Sequence, residues 1–174
     1  EGICSGLRRR LPPGGPPGGV FLDERFVRMA ATGLGSGYAP VAPGTAGTLA
    51  AIPVYLVLVR LPWPLYLLTV AAWTVLAVHV SGAAEELFGR KDDPRIVIDE
   101  ICGFLIALCC VAPTVAHVAA GFALFRIFDI AKPFPAGLFQ RRLPGGCGVV
   151  MDDVAAGIYA NLALQGLTWT GVLG

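Results

Sequence analysis

Charge is scarce in this chain: Asp, Glu, Lys and Arg make up 14% of its 174 residues, and they leave a formal net charge of +1. Soluble domains run near 25% charged, so a water-soluble fold would lack the polar surface to cover itself. So small a net charge also offers no electrostatic footprint for nucleic acid. Histidine occurs twice, and none of the five cysteines forms a Cys-x-x-Cys pair. Zinc and disulfide frameworks therefore fail on spacing. Cys102, Cys109 and Cys110 fall inside one apolar run, and all five cysteines, with Cys4 and Cys147, read as small buried side chains. His79 and His117 also sit within apolar runs and read as buried structural residues.

What fills the chain is apolar. The hydrophobic fraction is 55% and mean hydropathy is +0.69, which points to a membrane protein. Arg8-Arg9-Arg10 is followed by a Pro/Gly-rich stretch where a signal peptide would need an apolar run. Residues 1–20 therefore read as a disordered leader, and residues 21–174 as a single membrane domain. Apolar runs cover residues 46–59, 65–80, 101–125 and 154–174, the second ending at Ser81-Gly82. The last two have the length of membrane helices. The first is short for a full span, at about 21 Å.

Three simple passes would place the basic segments 90–95 and 126–142 on opposite faces, against the positive-inside bias. Pro113 offers a way out, because proline cannot continue the hydrogen-bond ladder. A turn there makes a hairpin of short helices over residues 99–111 and 114–129; a helix merely kinked at Pro113 is the alternative. The hairpin would bring Asp99, Asp129 and Asp153 to one level. The expected fold is all-α, a small integral membrane bundle with short or broken helices.

Carboxylates beside hydrocarbon are costly, and Asp99-Glu100, Asp129 and Asp152-Asp153 abut the apolar runs directly. Arg126, Asp129 and Lys132 are spaced to share one helical face. Asp152-Asp153 is expected to open the last helix, where one of the two could act as N-cap. Several carboxylates converging with Arg and Lys suit a hard divalent cation such as magnesium, completed by water and substrate phosphate. Arg126 and Lys132 would hold phosphate oxygens. The stretch Pro43-Gly44-Thr45-Ala46-Gly47-Thr48 opens the first apolar helix, where free amides favour an anion and Thr45 and Thr48 could bond a phosphate. It lacks the Gly-Lys-Ser/Thr of a P-loop.

Taken in order, Ala42 to Thr48, Asp99-Glu100 before Gly103, Phe125 to Pro135, and Gly145-Gly146-Cys147-Gly148 before Asp152-Asp153 resemble the phosphatidylglycerophosphatase A family. Pro144 and Val150 depart from its usual His and Met. The resemblance covers residues 27–165 and implies a magnesium-dependent lipid phosphatase in glycerophospholipid synthesis. It would yield phosphatidylglycerol from phosphatidylglycerophosphate on the cytoplasmic side of a bacterial inner membrane, as a multi-pass protein. On that likeness Asp99, Asp129 and Asp153 are catalytic, and Asp99, Glu100, Asp129, Asp152 and Asp153 bind metal. Rival readings are a phosphatase for another phospholipid, such as phosphatidic acid, and a non-catalytic small membrane subunit.

Overall fold

Apolar runs punctuated by Pro and Gly fold here into helices. The computed structural model describes residues 23–134, 136–143 and 145–173. The expected leader lies outside them. Among the described residues there are seven α-helices and no strand: α1 (Glu24–Ala31), α2 (Pro43–Leu58), α3 (Trp63–Phe88), α4 (Ile98–Ala107), α5 (Val115–Ala131), α6 (Ala136–Arg142) and α7 (Gly146–Trp169). A 3-10 turn, Ser36–Tyr38, links α1 to α2.

Pro43 and Pro64 lie in the first turns of α2 and α3, where a missing N–H costs nothing. Helix α3 does not stop at Ser81-Gly82 as expected. It runs on to Phe88 and ends against Gly89 at φ +69°. Packing explains the difference. Ser81 is fully buried, and the α3 backbone passes so close to α7 that a Cβ on Gly146 would stand 2.0 Å from the Val78 carbonyl oxygen. That contact outweighs the roughly 1 kcal/mol that an interior glycine costs a helix.

Helices α3 and α7, of 26 and 24 residues, are long and apolar enough to cross a bilayer. Helix α3 keeps most of its apolar surface outward, with Leu65, Leu68 and Val75 exposed. Helix α7 is the better buried and packs against α3, α4, α5 and α6. Between them lies a core built on Tyr55, Phe104, Leu105, Leu108, Phe125 and Leu164. Helix α2, at about 24 Å, falls short of the ~30 Å hydrocarbon thickness.

The third apolar run is a hairpin and not a kinked helix. Helix α4 ends at Ala107, the chain turns through residues 108–114, and Thr114 caps α5 by accepting from the His117 amide. Backbone carbonyls freed at membrane depth need other donors. Asn161 of α7 donates to the Ala107 and Cys109 carbonyls at 3.0 and 2.8 Å, and the Tyr66 hydroxyl donates to Leu105 O at 2.6 Å. His117 is buried as expected, its ring between the Thr114 and Thr168 hydroxyls. His79 is not: it faces outward from α3. Of the cysteines in the apolar run, Cys102 is buried, Cys109 is half-buried and Cys110 is exposed.

Because the hairpin returns, both of its open ends lie at one end of the bundle, with the 89–97 loop and α6. The hairpin tip lies at the other end, beside Trp63 and Trp169. These two tryptophans are strongly exposed, as side chains at a bilayer boundary are.

The 89–97 loop is fastened by Asp93, which is buried and accepts from the Arg95 amide and from Arg95 Nε and Nη2 at 2.7–3.0 Å. Arg95 in turn stacks on the Phe88 ring. The guanidinium holds the Asp93 carboxyl below the usual carboxylate range. A carboxyl depressed on folding contributes stability above its unfolded value, and that contribution is lost as pH falls through the folded one. Asp93→Asn should therefore lower the thermal midpoint in detergent at neutral pH. The deficit should shrink as both proteins are taken down through the acid range, and a pH-independent deficit would contradict the assignment. Asn161→Leu strips the donor from two hairpin carbonyls and should cost about 1–2 kcal/mol, read as a lower midpoint in the same assay.

Candidate metal and phosphate site

The site forms where α2, α4, α5 and α7 meet at the hairpin's open end. Val97, fully buried, pins the entry to α4: its amide donates to Ala31 O, and its side chain occupies the space where Gly47 of α2 lacks a Cβ. Asp99 and Glu100 then fall in the first turn of α4, where the helix dipole favours negative charge. Asp129 and Arg126 come from the last turns of α5, with Nη1 of the arginine 2.7 Å from Oδ2 of the aspartate. Lys132 caps α5 in a left-handed conformation and places Nζ 2.5 Å from Asp152 Oδ2.

Asp152 and Asp153 do not open α7 and neither is an N-cap. The helix begins six residues earlier at Gly146, after Gly145 at φ +54°. Its glycine-rich first turn can run against the α3 backbone, so the helix extends upstream of the aspartates. Both are carried inside the bundle, at 3% and 4% exposure. One turn on, a Cβ at Gly157 would lie 2.3 Å from Gly103 O, and one at Gly103 would lie 2.6 Å from Asp153 O. This backbone-to-backbone contact sets Asp153 beside the first turn of α4.

The five acidic residues divide into two sets. Asp129 and Asp152 are tied to Arg126 and Lys132. Asp99, Glu100 and Asp153 instead converge on one another, each offering a carboxylate oxygen within 4.8 Å of the other two. Asp99 Oδ1 and Glu100 Oε2 are buried with no hydrogen-bond partner among the described residues. Three hard oxygen donors this close could hold a divalent cation, which takes oxygen ligands. Asp129 neighbours both Glu100 and Asp153 electrostatically, so it borders the same group. Asp92, from the 89–97 loop, is a charged neighbour of Asp152. Sequence reasoning missed it, because in the chain it looks like one more boundary charge.

Gly44 completes the site. A Cβ there would stand 2.3 Å from Glu100 Oε1 and 3.2–3.3 Å from Nη1 and Nη2 of Arg126. The first turn of α2 thus faces both a carboxylate and the guanidinium, and its free amides add an anion-binding end. Arg126 Nε is buried without an acceptor among the described residues, and so has a donor to offer a phosphate oxygen. Of the two threonines expected on phosphate, Thr45 is half-buried in this turn. Thr48 is fully buried and donates to Gly44 O at 2.9 Å. Its hydroxyl proton braces the glycine's turn.

The sequence model of the phosphatidylglycerophosphatase A family matches residues 29–168. Phosphatidylglycerophosphatase A of Escherichia coli strain K12 is 42% identical over 132 residues, 75% of this chain and 76% of that protein. Its namesake in Haemophilus influenzae is 37% identical over 141 residues, 79% and 86% of the two chains. A Bacteroides thetaiotaomicron protein provisionally named a phosphatidylinositol-3-phosphatase is 40% identical over 149 residues, 81% and 92%. No solved structure matches.

Proposed function

The chain belongs to the phosphatidylglycerophosphatase A family and is a phosphatase, and from that premise we propose a magnesium-dependent conversion of phosphatidylglycerophosphate to phosphatidylglycerol and inorganic phosphate. The observation that carries this reading is the convergence of Asp99, Glu100 and Asp153 beside Arg126 and the α2 N-terminus. Such a set serves a phosphomonoester better than any uncharged substrate.

In this scheme Asp99, Glu100 and Asp153 would hold the magnesium ion, which would supply charge withdrawal from the phosphoryl oxygens and a more acidic water. Arg126, Lys132, Thr45 and the first amides of α2 hold the phosphate oxygens. Asp129 aligns the Arg126 fork and takes the proton of the attacking water. Water's oxygen bonds to phosphorus as the bond to the glycerol oxygen breaks; the glycerol oxygen takes a proton from solvent, Asp129 returns its own to solvent, and inorganic phosphate departs. Asp152 steadies Lys132.

Placement follows from charge and length. Arg28, Arg90, Lys91, Arg95, Arg126 and Lys132 belong to the carboxylate end, and Arg60 to the opposite one. By the positive-inside bias, this distribution supports a site on the cytoplasmic side of a bacterial inner membrane. The chain is then multi-pass, with α3 and α7 as full crossings and the hairpin entering and leaving by the same face. A lipid phosphate at the interface would meet the carboxylates without leaving the bilayer.

The likeness to the Bacteroides protein favours a second reading, hydrolysis of another phospholipid monoester. The test is phosphate release by purified protein in detergent, with phosphatidylglycerophosphate, phosphatidic acid and phosphatidylinositol 3-phosphate compared. Turnover is expected to be greatest on the first and to disappear with chelator. Asp99→Asn and Asp153→Asn should each lose at least 100-fold in kcat/KM, about 2.7 kcal/mol. Preference for either other lipid would replace the substrate assignment, and full activity in either variant would remove the site. Gly44→Ala should lose roughly tenfold or more while keeping its thermal midpoint, because a methyl there displaces Glu100 and Arg126 but sits in no core.

A further inference from the structure

Between α1, α2, α3 and the start of α4 runs an apolar groove enclosing about 300 Å³, lined by Met29, Ala50, Val54, Trp73, Leu76 and Ile101 among others. Its size is at the lower end of ligand sites, which run ~300–1,000 Å³. Two things set it apart from the other apolar clefts on this surface.

It is continuous with the site. Ile98 and Ile101, both in its wall, bracket Asp99 and Glu100 on α4. Along α2 the path is equally direct. Gly44 faces Glu100 and Arg126, Gly47 packs on Val97, and Ala50 and Val54 then line the groove. At 1.5 Å per residue these last two lie about 9 and 15 Å deeper than Gly44. A cleft lined by Tyr66, Ile106 and Leu162 lies farther down α4 and reaches none of these residues.

It also carries one unmet polar atom. Trp73 Nε1 is buried and has no acceptor among the described residues. A buried indole N–H normally finds a partner. Helix α3 sets Trp73 next to Thr74, whose hydroxyl is 3.0 Å from Cys102 Sγ on α4. The indole therefore sits within about a turn of the carboxylate level, at the depth of the ester linkages of a glycerolipid whose phosphate is at Arg126.

We infer that this groove holds an acyl chain of the phospholipid substrate, with the Trp73 indole N–H donating to an ester carbonyl. The inference rests on the lipid phosphatase reading and deepens it. The groove makes the enzyme selective for a diacyl lipid over the bare headgroup phosphate, and Trp73 is a positioning residue that touches no reacting atom.

The test uses the full chain in detergent with three phosphomonoesters: dipalmitoyl phosphatidylglycerophosphate, its dihexanoyl analogue, and the fully deacylated glycerophosphoglycerol phosphate. Ala50→Phe and Leu76→Trp fill the groove from α2 and α3. Each should raise KM for the dipalmitoyl lipid about tenfold and for the dihexanoyl lipid less, leaving kcat/KM on the deacylated compound unchanged. Trp73→Phe, which keeps the ring and removes the donor, should raise KM for both diacyl lipids but not for the deacylated compound. Equal losses on all three substrates would mean that the groove only packs the chain against itself, and would overturn the inference. Unchanged KM for the dipalmitoyl lipid in both filled variants would overturn it too. No turnover of any of the three by the unaltered protein would contradict the phosphatase reading itself, and the groove assignment with it.

Discussion

Three carboxylates within 4.8 Å of one another, two of them nearly excluded from solvent, is the constraint that the rest of this structure answers to. Like charges at that range in a poorly polarisable interior repel strongly, and each has lost its water. Such a group persists only where protons or positive charge are supplied. The protein brings two cations to the vicinity, but Arg126 and Lys132 are engaged with Asp129 and Asp152. A divalent ion between Asp99, Glu100 and Asp153, as proposed, would meet the remaining demand. The same arrangement sets the Arg126 guanidinium and the first turn of α2 beside Glu100.

Bringing those side chains together is a topological task solved by breaking a helix. Had residues 98–131 formed one continuous span, Asp99 and Asp129 would stand at opposite ends, about 45 Å apart by helical rise. The turn at residues 108–114 returns the chain, at the expense of several orphaned carbonyls. Asn161 and Tyr66, from helices flanking the hairpin, satisfy them. The polar residues at the tip and the acidic residues at the mouth are thus two ends of one device. Glycines do the rest: Gly103 and Gly157 let α4 and α7 touch backbone to backbone, and Gly44 lets α2 close on Glu100.

The sequence made much of this legible. Low charge and long apolar runs pointed to a helical membrane bundle, and Pro113 together with the position of the basic segments pointed to the hairpin. The motif order pointed to the family that the comparisons bear out. Burial and pairing were not legible. Asp152-Asp153 after a glycine-rich stretch looks like a helix start by local propensity, but close packing of Gly146 on α3 starts the helix earlier and buries both. Ser81-Gly82 looked like a break for the same reason, since propensity ignores a neighbouring helix. Which carboxylates pair with Arg and Lys, and which with one another, depends on how α4, α5 and α7 are rotated. No spacing rule encodes that. Thr48 follows the pattern: its position suggested phosphate, while its burial assigns its proton to Gly44 O.

Most direct for the central claim is a Mn²⁺ titration of the detergent-solubilised protein followed by electron paramagnetic resonance, with Mg²⁺ as competitor and no substrate present. The account predicts that the unaltered chain binds Mn²⁺ and releases it to Mg²⁺, and that Asp152→Asn retains binding. Replacing both Asp99 and Asp153 by Asn should abolish it in a protein that still folds. Equal Mn²⁺ binding by the double variant and the unaltered chain would contradict the account.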